Sequence, residues 1–172
     1  MPNEAAVGVS FVDAARKAGV RRFVFSSVID PILSALENHA AKAPVEEALL
    51  ASDMEYTFLH PTLFFQNIAS AWPSVLKTSV YGEPWAIESR FTRVDYRDVA
   101  EVAAIALTED RLMYGTFELC AEGNLNRTEL AVVMSKAAGK KVEAVRITPP
   151  PLPENPAGSR QRKRQVKAVL TT

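Results

Sequence analysis

Short stretches rich in β-forming residues alternate with amphipathic stretches along the chain. Strand-length segments lie at residues 22–27, 55–60 and 115–121, and a last short strand is predicted at 142–147. A continuous apolar run of this length, as in residues 22–27, is typical of a strand buried on both faces of a parallel sheet. The pattern therefore predicts a buried sheet whose strands are separated by other elements.

Helical periodicity occupies the stretches between the strands. Helices are predicted over residues 5–18, 40–53, 63–71 and 99–109, and from Thr128 or Asn126 to Ala138. Asp98 and Glu101 have the spacing of a capping box for the fourth of these helices. Pro44 suits only a first helical turn, so the second helix either becomes regular near this residue or begins with a distortion. Trp72-Pro73 marks the predicted end of the third helix.

Strands that alternate with helices predict an α/β fold with a parallel sheet and right-handed crossovers. Residues 1–148 are expected to form the folded part, with 15 Lys/Arg against 19 Asp/Glu. Residues 149–172 carry 5 Lys/Arg against 1 Asp/Glu and begin with a proline-rich stretch, which predicts a flexible basic tail. Residues 160–165 lack interleaved aromatics, so we expect a solvated tail and no nucleic-acid partner.

Composition narrows the class of protein further. The chain is 48% hydrophobic and 23% charged, which is ordinary for a soluble domain. A single cysteine, Cys120, excludes an internal disulfide framework and suits a reducing compartment. No apolar run approaches the ~20 residues of a membrane span, and the first residues lack the features of a signal peptide. We expect a cytoplasmic protein without a membrane partner, and no histidine–cysteine cluster predicts a metal site.

Polar residues cluster where two predicted strands end. Ser26 and Ser27 close the first strand, and Lys42 lies at the start of the following helix. The strand at 55–60 runs into the turn Pro61-Thr62-Leu63-Phe64-Phe65-Gln66-Asn67. Open parallel sheets bind ligands beyond the carboxyl ends of their strands. Alternatively, the serines bond only backbone groups, Lys42 is a solvated surface residue, and the aromatics belong to the core.

The serine pair, the lysine and the proline turn resemble the NmrA-like branch of the atypical short-chain dehydrogenase/reductases, from about Glu4 to about Ile147. This resemblance implies a partial doubly wound, Rossmann-like parallel sheet that binds NADP or NAD. It assigns cofactor contacts to Ser26, Ser27, Lys42, Pro61, Thr62, Leu63 and Phe64. It places Phe65 and Asn67 in the substrate pocket, and implies a dinucleotide and a small-molecule substrate as partners.

Two departures from the family pattern limit what the resemblance implies. No Gly-x-x-Gly-x-x-Gly loop occurs, so the sheet is expected to lack its first strands, and cofactor binding by this chain alone is expected to be weak or absent. The tyrosine expected four residues before Lys42 is Asn38, and an amide cannot act as a general acid. His39 is the nearby substitute, so the predicted catalytic residues are Lys42, Ser27 and His39.

Three hypotheses follow from these residues. The chain derives from an NAD(P)H-dependent oxidoreductase acting on a quinone or related carbonyl, truncated relative to its family. Alternatively, it belongs to a non-catalytic NADP(H) sensor that binds a protein partner, which Asn38 favours. A sheet without its first strands would also leave an apolar edge exposed and promote a homo-oligomer.

Overall fold

The computed structural model describes residues 3–147; the predicted tail at 149–172 lies outside them. The helices are α1 (Glu4–Lys17), α2 (Glu37–Ala40), α3 (Ala43–Leu50), α4 (Gln66–Thr78), α5 (Tyr96–Thr108) and α6 (Arg127–Ala138). The strands are β1 (Arg22–Ser26), β2 (Glu55–Pro61), β3 (Leu63–Phe64), β4 (Val80–Glu83), β5 (Arg93–Val94), β6 (Gly115–Leu119) and β7 (Glu143–Arg146). Two compact units result. Unit one runs to Thr62 and includes Val94–Cys120, and unit two comprises Leu63–Arg93 and the described residues from Ala121 onward.

Unit one is built on a three-stranded parallel sheet in the order β1-β2-β6. Ser26 is level with Leu59 of β2, and Leu59 is level with Phe117 of β6. A buried apolar cluster joins α1 and α3 to one face of this sheet; its most buried members are Val12, Val45, Leu49, Met54 and Phe58. The predicted parallel α/β class is confirmed.

The two faces of this sheet have different partners. Phe23 and Phe25 of β1 pack against the cluster formed by α1 and α3. Arg22, the residue before Phe23, instead donates to the Ala106 carbonyl of α5. Successive side chains of a strand point to opposite faces, so the odd-numbered residues of β1 face α1 and α3. Phe58 of β2 belongs to the same cluster. By the same alternation, the even-numbered residues of β2 therefore also face α1 and α3.

Unit two has its own core and its own two-stranded parallel sheet, β4-β7. Its most buried apolar residues are Val75, Tyr81, Leu130, Ala131, Met134 and Val142. The carboxylate of Glu83 accepts hydrogen bonds from Tyr81 at 2.9 Å, Trp85 at 3.2 Å and Arg93 at 3.1 Å. The Arg127 guanidinium, 3.6 Å from Glu83, also donates to the Val145 and Trp85 carbonyls. This buried polar network ties β4 to α6 and β7.

Several predicted boundaries are wrong for identifiable reasons. α4 continues to Thr78 with Pro73 inside it. Packing of Trp72 and Val75, on both sides of the proline, into the unit-two core stabilises the extended helix. The cap of α5 is Asp95, whose side chain accepts from the Arg97 N–H at 2.8 Å, so the capping box predicted for Asp98 is absent.

Two open alternatives are also resolved. The helix predicted over 40–53 is shorter: α3 is regular from Ala43, with Pro44 in its first turn, and ends at Leu50, while Glu37–Ala40 form the separate helix α2. Asn126, not Thr128, caps α6, and it forms a full capping box with Glu129.

Candidate functional site

Ser27 lies directly beyond the carboxyl end of β1 and is buried, with 6% of its surface exposed. Its N–H donates to the Leu59 carbonyl at 2.8 Å, which continues the ladder between β1 and β2 by one residue. Its Oγ is buried and has no hydrogen-bond partner in the protein. Buried hydroxyls are nearly always bonded, and leaving one unbonded costs about 1–3 kcal/mol. Ser27 therefore presents a hydroxyl suited to a ligand oxygen or nitrogen.

Ser26 has a different environment. It is the last residue of β1 and is exposed. Because neighbouring strand residues point to opposite faces, Ser26 lies on the α5 face and Ser27 on the α1–α3 face. The two serines predicted to act together are thus separated by the sheet.

Lys42 is held on the Ser27 face of unit one. Its Nζ lies 2.6 Å from Oε1 of Glu4 and 5.5 Å from the centre of the Phe25 ring. Phe25 is two residues before Ser27 on β1, so both side chains project from the same face. Lys42 directly precedes α3 and has helical backbone angles. Its position is fixed by α1 and β1 together.

His60 and Glu46 form a buried pair that the sequence analysis did not identify. Nε2 of His60 lies 2.9 Å from Oε1 of Glu46, and only 9% and 14% of the two side chains are exposed. His60 is on β2, on the face of Ser27, while Glu46 follows Lys42 by one helical turn. No local sequence pattern indicates this pair, because the two residues are 14 positions apart. We name Ser27, Lys42, Glu46 and His60 the polar cluster.

The predicted proton donor His39 lies in α2, outside the polar cluster. Its Nδ1 is 3.0 Å from the Asp30 carbonyl oxygen, to which it donates. Asp30 has a φ of 50° in the loop after β1. Asn38, in the position of the family tyrosine, is exposed. His39 thus makes a loop contact, and whether it acts in catalysis remains a proposal.

β2 ends at Pro61, and Thr62 follows it next to β6. The Thr62 N–H and hydroxyl both lie within hydrogen-bond distance of the Leu119 carbonyl, at 3.1 and 3.3 Å. Pro61 is buried and has no N–H, so it cannot donate the next ladder hydrogen bond, which would go to the Ser27 carbonyl. The strand ends around Ser27 are therefore incompletely paired through their backbone.

The remaining predicted contacts lie in unit two. Leu63 and Phe64 form β3 and are half-buried, Phe65 precedes α4, and Asn67 is exposed. Phe65 lines an apolar groove of about 350 Å³ between α4 and α6. The other lining residues are Ile68, Ala69, Trp72, Leu125, Leu130, Val133, Met134 and Ala137. Asn67 is not among them, and its carbonyl accepts from the Ser70 hydroxyl at 2.7 Å.

The residues present fit one end of a dinucleotide. The unbonded Ser27 hydroxyl and the Lys42 ammonium suit the amide and ribose oxygens of a nicotinamide nucleoside. A pyrophosphate needs a glycine-rich turn that leads into a helix. The described glycines with positive φ, Gly19, Gly123 and Gly139, lie in separate turns, two of them directly after helices. No such turn is found between residues 3 and 147.

Two further features of residues 3–147 bear on the type of site. No group of three histidine, cysteine, aspartate or glutamate side chains is arranged to hold a metal ion. None of the helices in this range has the length and apolar character needed to cross a membrane.

A parallel sheet whose strands are joined through helices defines the α/β class of fold, and comparison with solved structures agrees. A crystal structure of an NADPH-dependent quinone oxidoreductase from Escherichia coli, complexed with NADPH, superposes with a TM-score of 0.75 at 23% identity. The match covers 82% of this chain and 50% of that one. The shared fold is the Rossmann fold of NAD(P)-binding reductases.

The chain belongs to the NmrA-like family, whose sequence profile matches residues 1–165. An NAD(P)H azoreductase of Xenophilus azovorans is 27% identical over 157 residues, 86% of this chain and 52% of that protein. The photosystem II assembly factor Ycf39 of Guillardia theta is 26% identical over 151 residues, 81% of this chain and 45% of that protein. The chain thus spans about half the length of the relatives it matches.

Proposed function

We propose that this chain forms the nicotinamide and substrate side of an NAD(P)H-dependent oxidoreductase that reduces a quinone or related carbonyl. The observation that carries this proposal is the buried, unbonded hydroxyl of Ser27 beyond the end of a parallel strand. Relatives named as an NAD(P)H azoreductase and a quinone oxidoreductase support the class of reaction. Bound reduced nicotinamide would supply the hydride.

The side chains of unit one have separate roles in this proposal. Ser27 donates its hydroxyl hydrogen to a ligand oxygen, and Lys42 donates to ribose hydroxyls. Glu4 and Phe25 hold Lys42 on the face of the sheet that carries Ser27.

A chimera tests the proposal by supplying a phosphate-binding loop. The part of the E. coli quinone oxidoreductase that precedes its matched segment is fused ahead of Asn3 of this chain. We expect the chimera to oxidise NADPH in the presence of a quinone such as menadione, followed at the nicotinamide absorbance. Ser27→Ala should lower kcat/KM by at least about 10-fold, the loss of roughly 1.4 kcal/mol of transition-state stabilisation.

Ser26→Ala is the matched control, because Ser26 lies on the opposite face of the same strand. It should leave kcat/KM within about 2-fold of the parent chimera, an effect below 0.5 kcal/mol. A folded chimera that binds NADPH but transfers no hydride to any quinone or carbonyl tested would contradict the oxidoreductase proposal.

A sensing role is the second candidate. Asn38 cannot donate a proton as the family tyrosine would, and His39 is engaged with a loop carbonyl. A relative named as an assembly factor is consistent with a role in binding protein partners. If NADPH changes which proteins the chimera retains while the NADPH absorbance stays constant, sensing is supported. Steady NADPH consumption with a quinone would exclude it.

A further inference from the structure

The proposed reduction needs a proton donor, and neither Asn38 nor His39 is placed to be one. An acceptor that takes up a hydride develops negative charge, and a proton must neutralise it. Asn38 has only an amide, and the His39 Nδ1–H is bonded to the Asp30 carbonyl. Of the other predicted residues, Ser27 has a hydroxyl that is not bonded within the protein.

Ser27 and His60 are neighbours across two adjacent strands. Ser26 is level with Leu59, and the Ser27 N–H continues that ladder to the Leu59 carbonyl. Ser27 is consequently level with His60, and both side chains project from the α1–α3 face. Neighbouring strands lie about 4.7–4.9 Å apart. Level residues on adjacent strands have neighbouring side chains, but no direct hydrogen bond joins the Ser27 hydroxyl to His60.

Glu46 fixes the imidazole of His60. A carboxylate only accepts hydrogen bonds, so Nε2 of His60 carries the hydrogen that points to Glu46. The other ring nitrogen, Nδ1, is then the one that is not engaged with Glu46. The other charged groups near His60 are Lys42, one turn before Glu46 on α3, and Glu118, level with His60 on β6.

We propose that Ser27, His60 and Glu46 form a proton relay, with His60 and Glu46 as positioning residues that act through Ser27. This inference rests on the proposed function. The substrate gains a hydride from reduced nicotinamide and a proton from Ser27 Oγ. Ser27 regains a proton from Nδ1 of the His60 imidazolium through one bridging water, since the Ser27 hydroxyl has no direct partner in the protein. His60 ends neutral, still bonded to Glu46, and takes its next proton from solvent.

The relay is tested on the 172-residue chain itself, without cofactor. Ring nitrogens of the two histidines are followed by ¹⁵N NMR near neutral pH, and a His39→Asn variant assigns the signals. Ser27→Ala should change the ring nitrogen signals of His60 and leave those of His39 unchanged. Ser27→Thr, which keeps a hydroxyl, should restore the wild-type signals. A purely structural role of Ser27 would not produce this rescue.

Glu46→Gln probes the relay from its other end. The amide can still bond to the imidazole but carries no charge, so the ring nitrogen signals of His60 should move relative to the wild type. Ser26→Ala is the control and should leave both histidines unchanged. Ring signals of His60 that are unaffected by Ser27→Ala, or by Glu46→Gln, would overturn the relay.

The outcome is separable from that of the proposed function. A chimera that never oxidises NADPH would reject the oxidoreductase proposal. The effect of Ser27→Ala on the ring signals of His60 would still be measurable in that case. Conversely, if the chimera is active but Ser27→Ala leaves the His60 signals unchanged, the oxidoreductase proposal stands and the relay is rejected.

Discussion

Among individual side chains, Glu46 has the most testable structural role. Its carboxylate accepts a hydrogen bond from the N–H of buried His60, so removing the carboxylate leaves that donor without a partner. An unsatisfied buried polar group costs about 1–3 kcal/mol, so Glu46→Ala should lower the free energy of unfolding by that amount. Urea unfolding followed by tryptophan fluorescence measures the change. Glu47→Ala, at the adjacent exposed position, should stay within about 0.5 kcal/mol of the wild type.

Tyr81 gives unit two a pH-dependent stability. Burial, and then the nearby Glu83 carboxylate, raise the pKa of Tyr81. A tyrosine in the unfolded chain ionises near pH 10, so above that pH the unfolded state loses a proton that the folded state keeps. Stability from this difference is fully present below about pH 10 and is lost as the pH rises further.

We therefore expect the free energy of unfolding to fall above about pH 10, and to fall less steeply in Tyr81→Phe. Urea midpoints across this range measure both slopes. Tyr114→Phe is the comparison, since Tyr114 is 59% exposed and should leave the slope close to that of the wild type. Equal slopes in Tyr81→Phe and the wild type would contradict the prediction.

At the scale of elements, α5 depends on a cap one turn earlier than the sequence indicates. Asp95 accepts from the Arg97 N–H, whereas Asp98 lies within the first turn of the helix. Asp95→Ala should cost about 0.5–2 kcal/mol of unfolding free energy. Asp98→Ala removes only a favourable interaction with the helix dipole, about 0.3–1 kcal/mol. Chemical denaturation of the two variants measures both changes in the free energy of unfolding. A larger decrease for Asp98→Ala than for Asp95→Ala would show that the helix begins later in solution.

How far the sequence predicts these elements depends on where each signal resides. The α1 and β2 segments were predicted because periodicity is local. The continuation of α4 past Pro73 could not be predicted from the sequence, because it depends on core packing on both sides of the proline. In the site, Ser27 and Lys42 were found through their positions after a strand and before a helix. The His60–Glu46 bond joins a strand to a helix 14 residues away, and no local pattern specifies it.

At the scale of the whole molecule, β1 forms an edge of the three-stranded sheet in the described residues. The N–H groups of Phe23, Phe25 and Ser27 point toward β2, so that of Val24 points to the open edge. Such edges promote pairing between chains. We expect self-association that increases with protein concentration, measured by light scattering.

Val24→Pro should reduce this association, because proline removes only the outward donor and leaves the bonds to β2 intact. Val24→Thr keeps the donor and serves as the control. A clean monomer for the wild-type chain over the whole concentration range would refute the edge interface.

The scattered glycines also set the expected affinity of the isolated chain for the dinucleotide. Contacts to the nicotinamide end provide a few hydrogen bonds of about 0.5–1.5 kcal/mol each, against an association cost of about 4–15 kcal/mol. We expect no NAD(P)H binding by residues 1–172 at micromolar concentrations in isothermal titration. A micromolar complex would reveal a phosphate site that the glycine pattern does not indicate.

The ion pair between Lys42 and Glu4 has a thermodynamic consequence. The ammonium that a ribose would bind already belongs to the first turn of α1. A ligand must either share Lys42 with Glu4 or displace it, so occupancy of the site and ordering of that turn are linked equilibria. If the ligand displaces the Glu4 carboxylate, the first turn of α1 becomes less ordered as the ligand binds. Conditions that stabilise the ion pair between Lys42 and Glu4 then lower the affinity for the ligand by the same factor.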